Sequence, residues 1–542
     1  MYTLRSKLLV AFLAQIFCFS ISAQEHPRIV IALVVDQMTP QYIDRFWNDF
    51  GEGGFKKLIN EGVYFPNTFY NQVPTYTAPG HASIFTGSSP SAHGIIGNNW
   101  YDRKTGKSVY CVEDTERSTI GSSNDNGKRS PKYLLSAGIG DMMKLASGGK
   151  AYVSAISIKD RSAILPAGQS GDLAVWWDDE TGKWITSDHY SKEVPTWINE
   201  YQLKNNVYDY MRVWEPMHDQ DAYSTLSGHD NFERGIFSSG ASFPYDMGAL
   251  AQEHGVKVLK YSPYGNSFTF TMGREMIRGS LLGKDFTPDL GIISFSSTDY
   301  IGHLFGPYSQ EVKDTYLRFD KDLEEFIMFL ESQFGGDFLL FLTSDHGVMP
   351  NAEYMKSMGI RASYFDIDDH HTKLGQFLTA LTGIDGLVLA MDDGQVYLDE
   401  VKISASKFSL KEVEKATERW LLGHEQIQSA IAAHELNSFD YVNFPKANMQ
   451  AGFHPLRSGN VSYVLTENTI DKSFEKGSSH GSPYNYDSRV PLIFYGRDIA
   501  KGKRIEDHID IRQIAPTIAE CVGVSPPPMA TLPSLRHYLK SK

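Results

Sequence analysis

Three apolar stretches of this chain each run into an aspartate. Arg28 to Val35 ends at Asp36, Gly291 to Phe295 is followed by Asp299 and His303, and Phe338 to Leu342 leads into Thr343-Ser344-Asp345-His346-Gly347. His480 sits in Gly477-Ser478-Ser479-His480-Gly481-Ser482-Pro483, a glycine and serine loop where a histidine has few packing reasons to be. In open α/β sheets ligands bind beyond the carboxyl ends of strands, so polar residues repeated at such ends mark a site. One Asp-His pair arises by accident; three strands that each end in Asp, two of them supplying His, do not. Asp299 and His303 also stand at i and i+4, on one face of a helix. Together Asp36, Asp299, His303, Asp345, His346 and His480 form a carboxylate and imidazole set without thiolate. That suits two divalent ions, Zn²⁺ with Mn²⁺ or Co²⁺ as alternatives, whereas an all-oxygen set would suggest Mg²⁺ or Ca²⁺. Two such ions ~3.5–4 Å apart clamp the attacking and leaving oxygens of an in-line displacement.

A hydroxyl stands ready for that chemistry. Val73 to Gly87 reads as a loop that delivers Thr77 to the first turn of a helix, with Pro79 tolerated at a helix start and Gly80 allowing close approach to the backbone. A threonine there is also an ordinary N-cap. Asn98 and Asn99 offer amide donors in a turn-rich segment, or simply form the turn, and His81 and His93 read as structural. Lys159 and Arg161 follow the strand Ala151 to Ile156; in an extended segment they point to the same side as a two-cation clamp, the alternative being a solvated charge pair.

The elements that must position these residues alternate between strand and helix almost to the end of the 542 residues, with no low-complexity linker. That predicts one α/β unit with a mostly parallel sheet. Helices are expected over Thr39 to Phe50, Pro131 to Ala146, Glu311 to Phe334, Leu410 to Trp420 and Gln426 to Ala433, with a hairpin turning at Lys104-Thr105-Gly106. Two insertions are expected, about 157–245, with a tryptophan-rich hairpin (Trp176, Trp177, Trp184) lying over the sheet, and about 351–476. The net charge of −14 and the lack of a basic run argue against nucleic-acid binding. Residues 1–23 read as a secretory signal, with Arg5 and Lys7, an apolar core from Leu8 to Phe19 and small residues before Gln24. The apolar run is shorter than the ~20 residues of a membrane anchor, so cleavage after Ala23 and a periplasmic or secreted mature chain, 24–542, are expected. Cys111 and Cys521 then remain, as one disulfide or as two buried thiols.

The whole constellation resembles the alkaline phosphatase superfamily, most closely its bacterial phosphate-irrepressible, threonine-nucleophile phosphomonoesterases, and the likeness runs from Asp36 to the last helix. It implies that family's three-layer sandwich with inserted cap segments. By this resemblance one zinc is held by Asp299, His303 and His480, and the other by Asp36, Asp345 and His346 with Thr77 as nucleophile. Asn98, rather than Asn99, matches the amide donor to a phosphoryl oxygen, and Lys159 and Arg161 match the cations of the monoesterase branch. The implied partners are small phosphate monoesters, and the oligomeric state is left open. Sulfatases of the superfamily carry Cys or Ser in place of Thr77 and Arg in place of His81. Phosphodiesterases of the nucleotide pyrophosphatase type share the threonine and six ligands and are the alternative. A secreted glycan-binding protein with structural zinc accounts for the tryptophans but not for a threonine aimed at the metals.

Overall fold

Strand β1 (Ile29–Val35) is buried along its whole length because its alternate side chains feed two separate cores. Ile29, Ile31, Leu33 and Val35 pack on one side, and Val30, Ala32 and Val34 on the other. A continuous β-branched run encodes that two-sided burial. The computed structural model describes residues 26–223 and 232–540, so the expected signal, 1–23, lies outside the described residues.

Seven further strands join β1 in the central sheet: β2 (Val63–Phe69), β3 (Val153–Ser157), β4 (Leu173–Asp178), β5 (Lys183–Ser187), β6 (Asp289–Phe295), β7 (Phe338–Thr343) and β8 (Arg489–Gly496). Their order is β2-β8-β7-β1-β6-β3-β4-β5, with short strands at both edges. From β7 to β4 neighbours are parallel; β8 runs antiparallel to β7 and β2, and β5 antiparallel to β4. One face is covered by α1 (Pro40–Phe46), α4 (Tyr264–Gly279), α5 (Ser297–Phe305) and α6 (Gln310–Phe334), and the other by α2 (Thr77–Thr86), α3 (Asp160–Ala167) and α7 (Ile514–Val522). The result is the expected three-layer sandwich. Its register fixes where the strands end. Thr343, Val34, Ser294 and Ser157 pair in one row across β7, β1, β6 and β3, so the chain leaves these four strands at a common level.

Several expectations change. The tryptophan hairpin does not lie over the sheet: its two arms are β4 and β5, which extend the sheet edge, with Trp177 and Trp184 in one core and Trp176 in the other. Ile427–Ala432 is a strand rather than part of a helix, since pairing with Val461–Leu465 outweighs the helix preference of its two alanines and its glutamine. The helix expected from Pro131 begins only at Ile139, where the Asp141 carboxylate accepts the Gly138 N–H at 2.7 Å. Cys111 and Cys521 are separate buried thiols. Among the described residues no helix is long and apolar enough to cross a membrane.

The segment 351–476 carries its own four-stranded antiparallel sheet and its own core of Leu374, Leu378, Val396, Leu398 and Val413. Its two ends meet in a neck: the Asn351 side chain donates to the Gly477 carbonyl and to the Phe232 carbonyl, and Met349 N–H donates to Ser479 O at 3.1 Å.

Helix α2 approaches the end of β7 closely. A Cβ at Gly80 would stand under 3.0 Å from the Asp345 carbonyl oxygen, a backbone atom that cannot swing aside. Gly80→Ala is therefore expected to cost about 1–3 kcal/mol through overpacking. A melting curve shifted down by about one to three degrees checks this; an unchanged one would show that α2 is free to retreat.

Candidate active site

The residues two positions beyond the shared row of β7, β1 and β3 are Asp345, Asp36 and Lys159, so strand register alone brings two carboxylates and an ammonium together. Asp36 is pinned there by its N–H to the Phe295 carbonyl at 3.0 Å and by Thr298 Oγ1 donating to its carbonyl at 2.5 Å. Lys159 Nζ donates to Asp36 Oδ2 at 2.6 Å and to Asp299 Oδ2 at 2.7 Å, and reaches Thr77 Oγ1 at 3.4 Å. All four residues are buried. Lys159 and Arg161 do not form an extended clamp: Lys159 is the extended N-cap of α3 and Arg161 lies in its first turn, because a strand that ends at Ser157 passes straight into a helix.

The histidines are held with one nitrogen fixed. His303, His346 and His480 donate Nδ1–H to the carbonyls of Ser478 at 2.8 Å, Gly347 at 2.9 Å and Thr75 at 2.7 Å; a carbonyl only accepts, so the tautomer is set and each Nε2 is turned to the carboxylates. His303 Nε2 and His480 Nε2 stand 3.2 and 3.4 Å from Asp299 Oδ1, and His346 Nε2 stands 3.3 Å from Asp36 Oδ1. The His346 and His480 rings stack at 3.5 Å. Burial, then the neighbouring Asp345 charge, raises the Asp36 carboxyl. Burial also acts to raise Asp299, but His303 and Lys159 hold it well below the usual range. Against its own burial, His346 is pushed up to about 9 by Asp345 and Asp36, whereas burial and His346 push His480 down to about 3.

Three buried carboxylates facing one ammonium leave negative charge to be offset, and Asp36 Oδ1, Asp345 Oδ2 and His346 Nε2 are buried without a hydrogen-bond partner among the described residues. Those orphaned acceptors fit a cation. Asp36, Asp345 and His346 form one group able to hold a metal ion, and Asp299, His346 and His480 another, each with ligand atoms within 4.8 Å. His303 shares Asp299 but stands outside the tighter group, with a quarter of its side chain exposed.

Thr77 opens α2 at its first position, after the extended Tyr76, and is buried beside Lys159. Its carbonyl accepts from His81 Nδ1 at 2.9 Å, and His81 Nε2 pairs with Ser294 Oγ at 2.8 Å, which fastens the helix start to β6 and makes His81 structural. The Asn98 Oδ1 accepts the Ala78 N–H at 3.0 Å, leaving its amide N–H groups as the outward donors. Asn99, in contrast, is exposed in the hairpin strand Asn99–Asp102. Arg161 is placed near Lys159 but makes no hydrogen bond or ion pair with Thr77 or the acidic cluster; its Nη1 meets the Tyr110 hydroxyl at 3.2 Å.

Gln37 escaped sequence reasoning. It adopts a left-handed backbone, φ 65°, uncommon for a residue with a side chain. Its N–H donates to Asp345 Oδ1 at 3.2 Å and its Nε2 to Asp299 Oδ1 at 2.7 Å, so one residue ties both acidic groups together. Glycine at 302 leaves room for the Gln37 amide oxygen, which a Cβ there would strike. The only signal in sequence was the position directly after Asp36. We expect that adding Zn²⁺ raises the melting temperature and a chelator lowers it, as a ligand that binds only the folded state must do. Gln37→Leu should bind metal about 10- to 100-fold more weakly, the usual cost of losing a group that orients a ligand. Metal content after dialysis against buffered Zn²⁺ reads this directly, and an unchanged affinity would leave Gln37 without that role.

Residues 30–429 match the family "Type I phosphodiesterase / nucleotide pyrophosphatase". The chain is 35% identical over 512 residues to "Alkaline phosphatase PafA" of Elizabethkingia meningoseptica, covering 93% of each protein. It is 34% identical over 556 residues to "Alkaline phosphatase PhoV" of Synechococcus elongatus, covering 97% of this chain and 98% of the relative. The crystal structure of wild-type alkaline phosphatase PafA superposes with a TM-score of 0.91 at 33% identity, over 95% of this chain and 99% of the other. This chain belongs to the type I phosphodiesterase / nucleotide pyrophosphatase family, within the alkaline phosphatase superfamily.

Proposed function

We propose that the chain is a zinc-dependent alkaline phosphatase that hydrolyses small phosphate monoesters through a phosphothreonine at Thr77, and that it works in the periplasm or outside the cell once residues 1–23 are removed. Its relatives' names support the coarser part, a phosphoric monoester hydrolase. The observation that carries the rest is the Lys159 ammonium, buried and within 3.4 Å of the Thr77 hydroxyl at a helix N-terminus. A cation and a helix start together favour an anion beside that hydroxyl.

Bound zinc, held by Asp36, Asp345 and His346 on one side and by Asp299, His303 and His480 on the other, would supply Lewis acidity for the entering and leaving oxygens. The chain's own residues do the rest. Thr77 Oγ1 gives up its proton and bonds to phosphorus as the ester bond breaks, the alcohol leaving with a proton, and water later displaces Thr77, releasing phosphate and restoring the hydroxyl. Asn98, its oxygen already engaged by Ala78 N–H, presents N–H donors to a non-bridging oxygen. Lys159 and Arg161 offset the charge on those oxygens, where phosphoryl-transfer catalysis chiefly acts. The family name also covers diesterases. A diester, however, replaces one anionic oxygen with an uncharged substituent and gives two cations less to hold.

Two outcomes test this reading. Thr77→Ala should lower turnover on the order of 10³-fold or more, while Thr77→Ser, which keeps a hydroxyl, retains a substantial fraction. Mass spectrometry of acid-quenched wild type should find phosphate on Thr77 and nowhere else; phosphate on another residue sinks the assignment. The Lys159→Ala, Arg161→Ala double variant should lose about 10²- to 10⁴-fold in monoester kcat/KM, from ~1.5–3 kcal/mol per charge-assisted hydrogen bond. Its diester activity should change by less than about tenfold, and equal losses on both substrates would remove the basis for monoester preference.

A further inference from the structure

We propose that Tyr110 is a positioning residue for the Arg161 guanidinium, and that through it the Asn99–Tyr110 hairpin sets the enzyme's preference for monoesters. The inference rests on the monoesterase reading above and assigns a residue that none of the sequence motifs pointed to.

Four side chains form a closed relay. Arg161 Nη1 donates to the Tyr110 hydroxyl at 3.2 Å, and that hydroxyl donates its own proton to Asp160 Oδ1 in a short hydrogen bond. The same Asp160 oxygen accepts the Arg161 backbone N–H at 2.7 Å. Asp160 Oδ2 takes Arg129 Nε at 2.9 Å, and the Arg129 guanidinium lies over the Tyr110 ring at 5.3 Å from its centre. The phenol is thus fixed by a carboxylate, a cation on its face and a hydrogen bond, and no rotation is left to it. Its burial, together with Asp160, keeps the hydroxyl protonated far above neutral pH, so it stays a fixed dipole.

The effect on Arg161 comes from guanidinium geometry. One terminal nitrogen is spent on Tyr110, while Nε–H is buried with no hydrogen-bond partner among the described residues. Nε and the remaining terminal nitrogen form the edge that engages an oxyanion with two parallel hydrogen bonds. A free arginine would lose rotamer freedom on meeting its ligand; here much of that ordering is already done before binding.

The hairpin adds a second link. Tyr110 pairs across the hairpin with Asn99, and the Cys111 N–H donates to the Asn98 carbonyl at 3.0 Å. The open end of one hairpin therefore carries Asn98 and the anchor of Arg161, so their separation is set by the strand pairing there rather than by either side chain's own rotamer.

A double-mutant cycle of Tyr110→Phe and Arg161→Ala, read on a matched aryl phosphate monoester and methyl aryl diester, decides the matter. Tyr110→Phe keeps the ring and removes only the hydroxyl. Alone it should lower monoester kcat/KM about 5- to 30-fold and leave the diester within about threefold, and in the Arg161→Ala background it should change neither. Inorganic phosphate binding, measured by calorimetry on the same four proteins, should show the same non-additivity. Full additivity, or equal losses on monoester and diester from Tyr110→Phe, overturns the proposal and returns Tyr110 to a packing role. Wild type that favours the diester would sink the monoesterase reading instead, and the phosphate-binding cycle would still report whether Tyr110 acts through Arg161. Melting temperatures of all four proteins guard against a folding loss, and Asp160→Asn, which weakens the anchor of Tyr110 from the other side, should reproduce the Tyr110→Phe pattern.

Discussion

Everything at the end of this sheet depends on holding Asp36, Asp299 and Asp345 together out of water. Like charges repel strongly where the dielectric is low, and desolvating each carboxylate costs free energy before any repulsion is counted. The fold meets that cost with geometry. Level strand ends bring Lys159 between two of the three, the Gln37 backbone and side chain donate to Asp345 Oδ1 and Asp299 Oδ1, and three histidines are each locked by a backbone carbonyl with the second nitrogen facing inward. None of these partners is adjacent to the carboxylates by accident of a flexible side chain. The sheet's two cores, one on each face, keep the strand ends from shifting relative to one another.

That arrangement explains which parts were readable from residues alone. Asp36, Asp345 and His346 follow apolar strands directly, and a strand that is buried on both faces announces itself by composition, so its end can be located to within a residue. The same holds for Asp299 and His303, whose helical spacing survives into α5. Thr77 is the first residue of its helix, as Pro79 and Gly80 suggest.

What sequence did not yield was long-range pairing. Whether Trp176 and Trp184 cap the sheet or extend it depends on the partner of β4, which is β3, and the hairpin's own residues carry no trace of that choice. Ile427–Ala432 has helix-favouring residues and becomes a strand because Val461–Leu465 lies beside it. Lys159 and Arg161 keep their place near the site although Arg161 is already helical and the two do not share one extended segment: the spacing was informative, the geometry behind it was not. Gln37 and Tyr110 act through contacts with residues tens to hundreds of positions away, and local spacing records nothing of such contacts.

The neck at Asn351 and Gly477 bears on how a chain of this kind changes over time. The segment between them has its own core and leaves and rejoins the main body at nearly one point, yet one of its faces lies against the main body: Phe474 stacks on His303, and the Val73 N–H donates to the Asn448 carbonyl. Change around Leu374 and Val413 stays within the segment's own core, whereas change at Phe474 meets the His303 ring, which lies beside His480. An architecture of this form behaves as a chassis with an attachment whose mating face is fixed by what it touches, so room for variation lies on the outward side and not where Phe474 and Asn448 meet the main body.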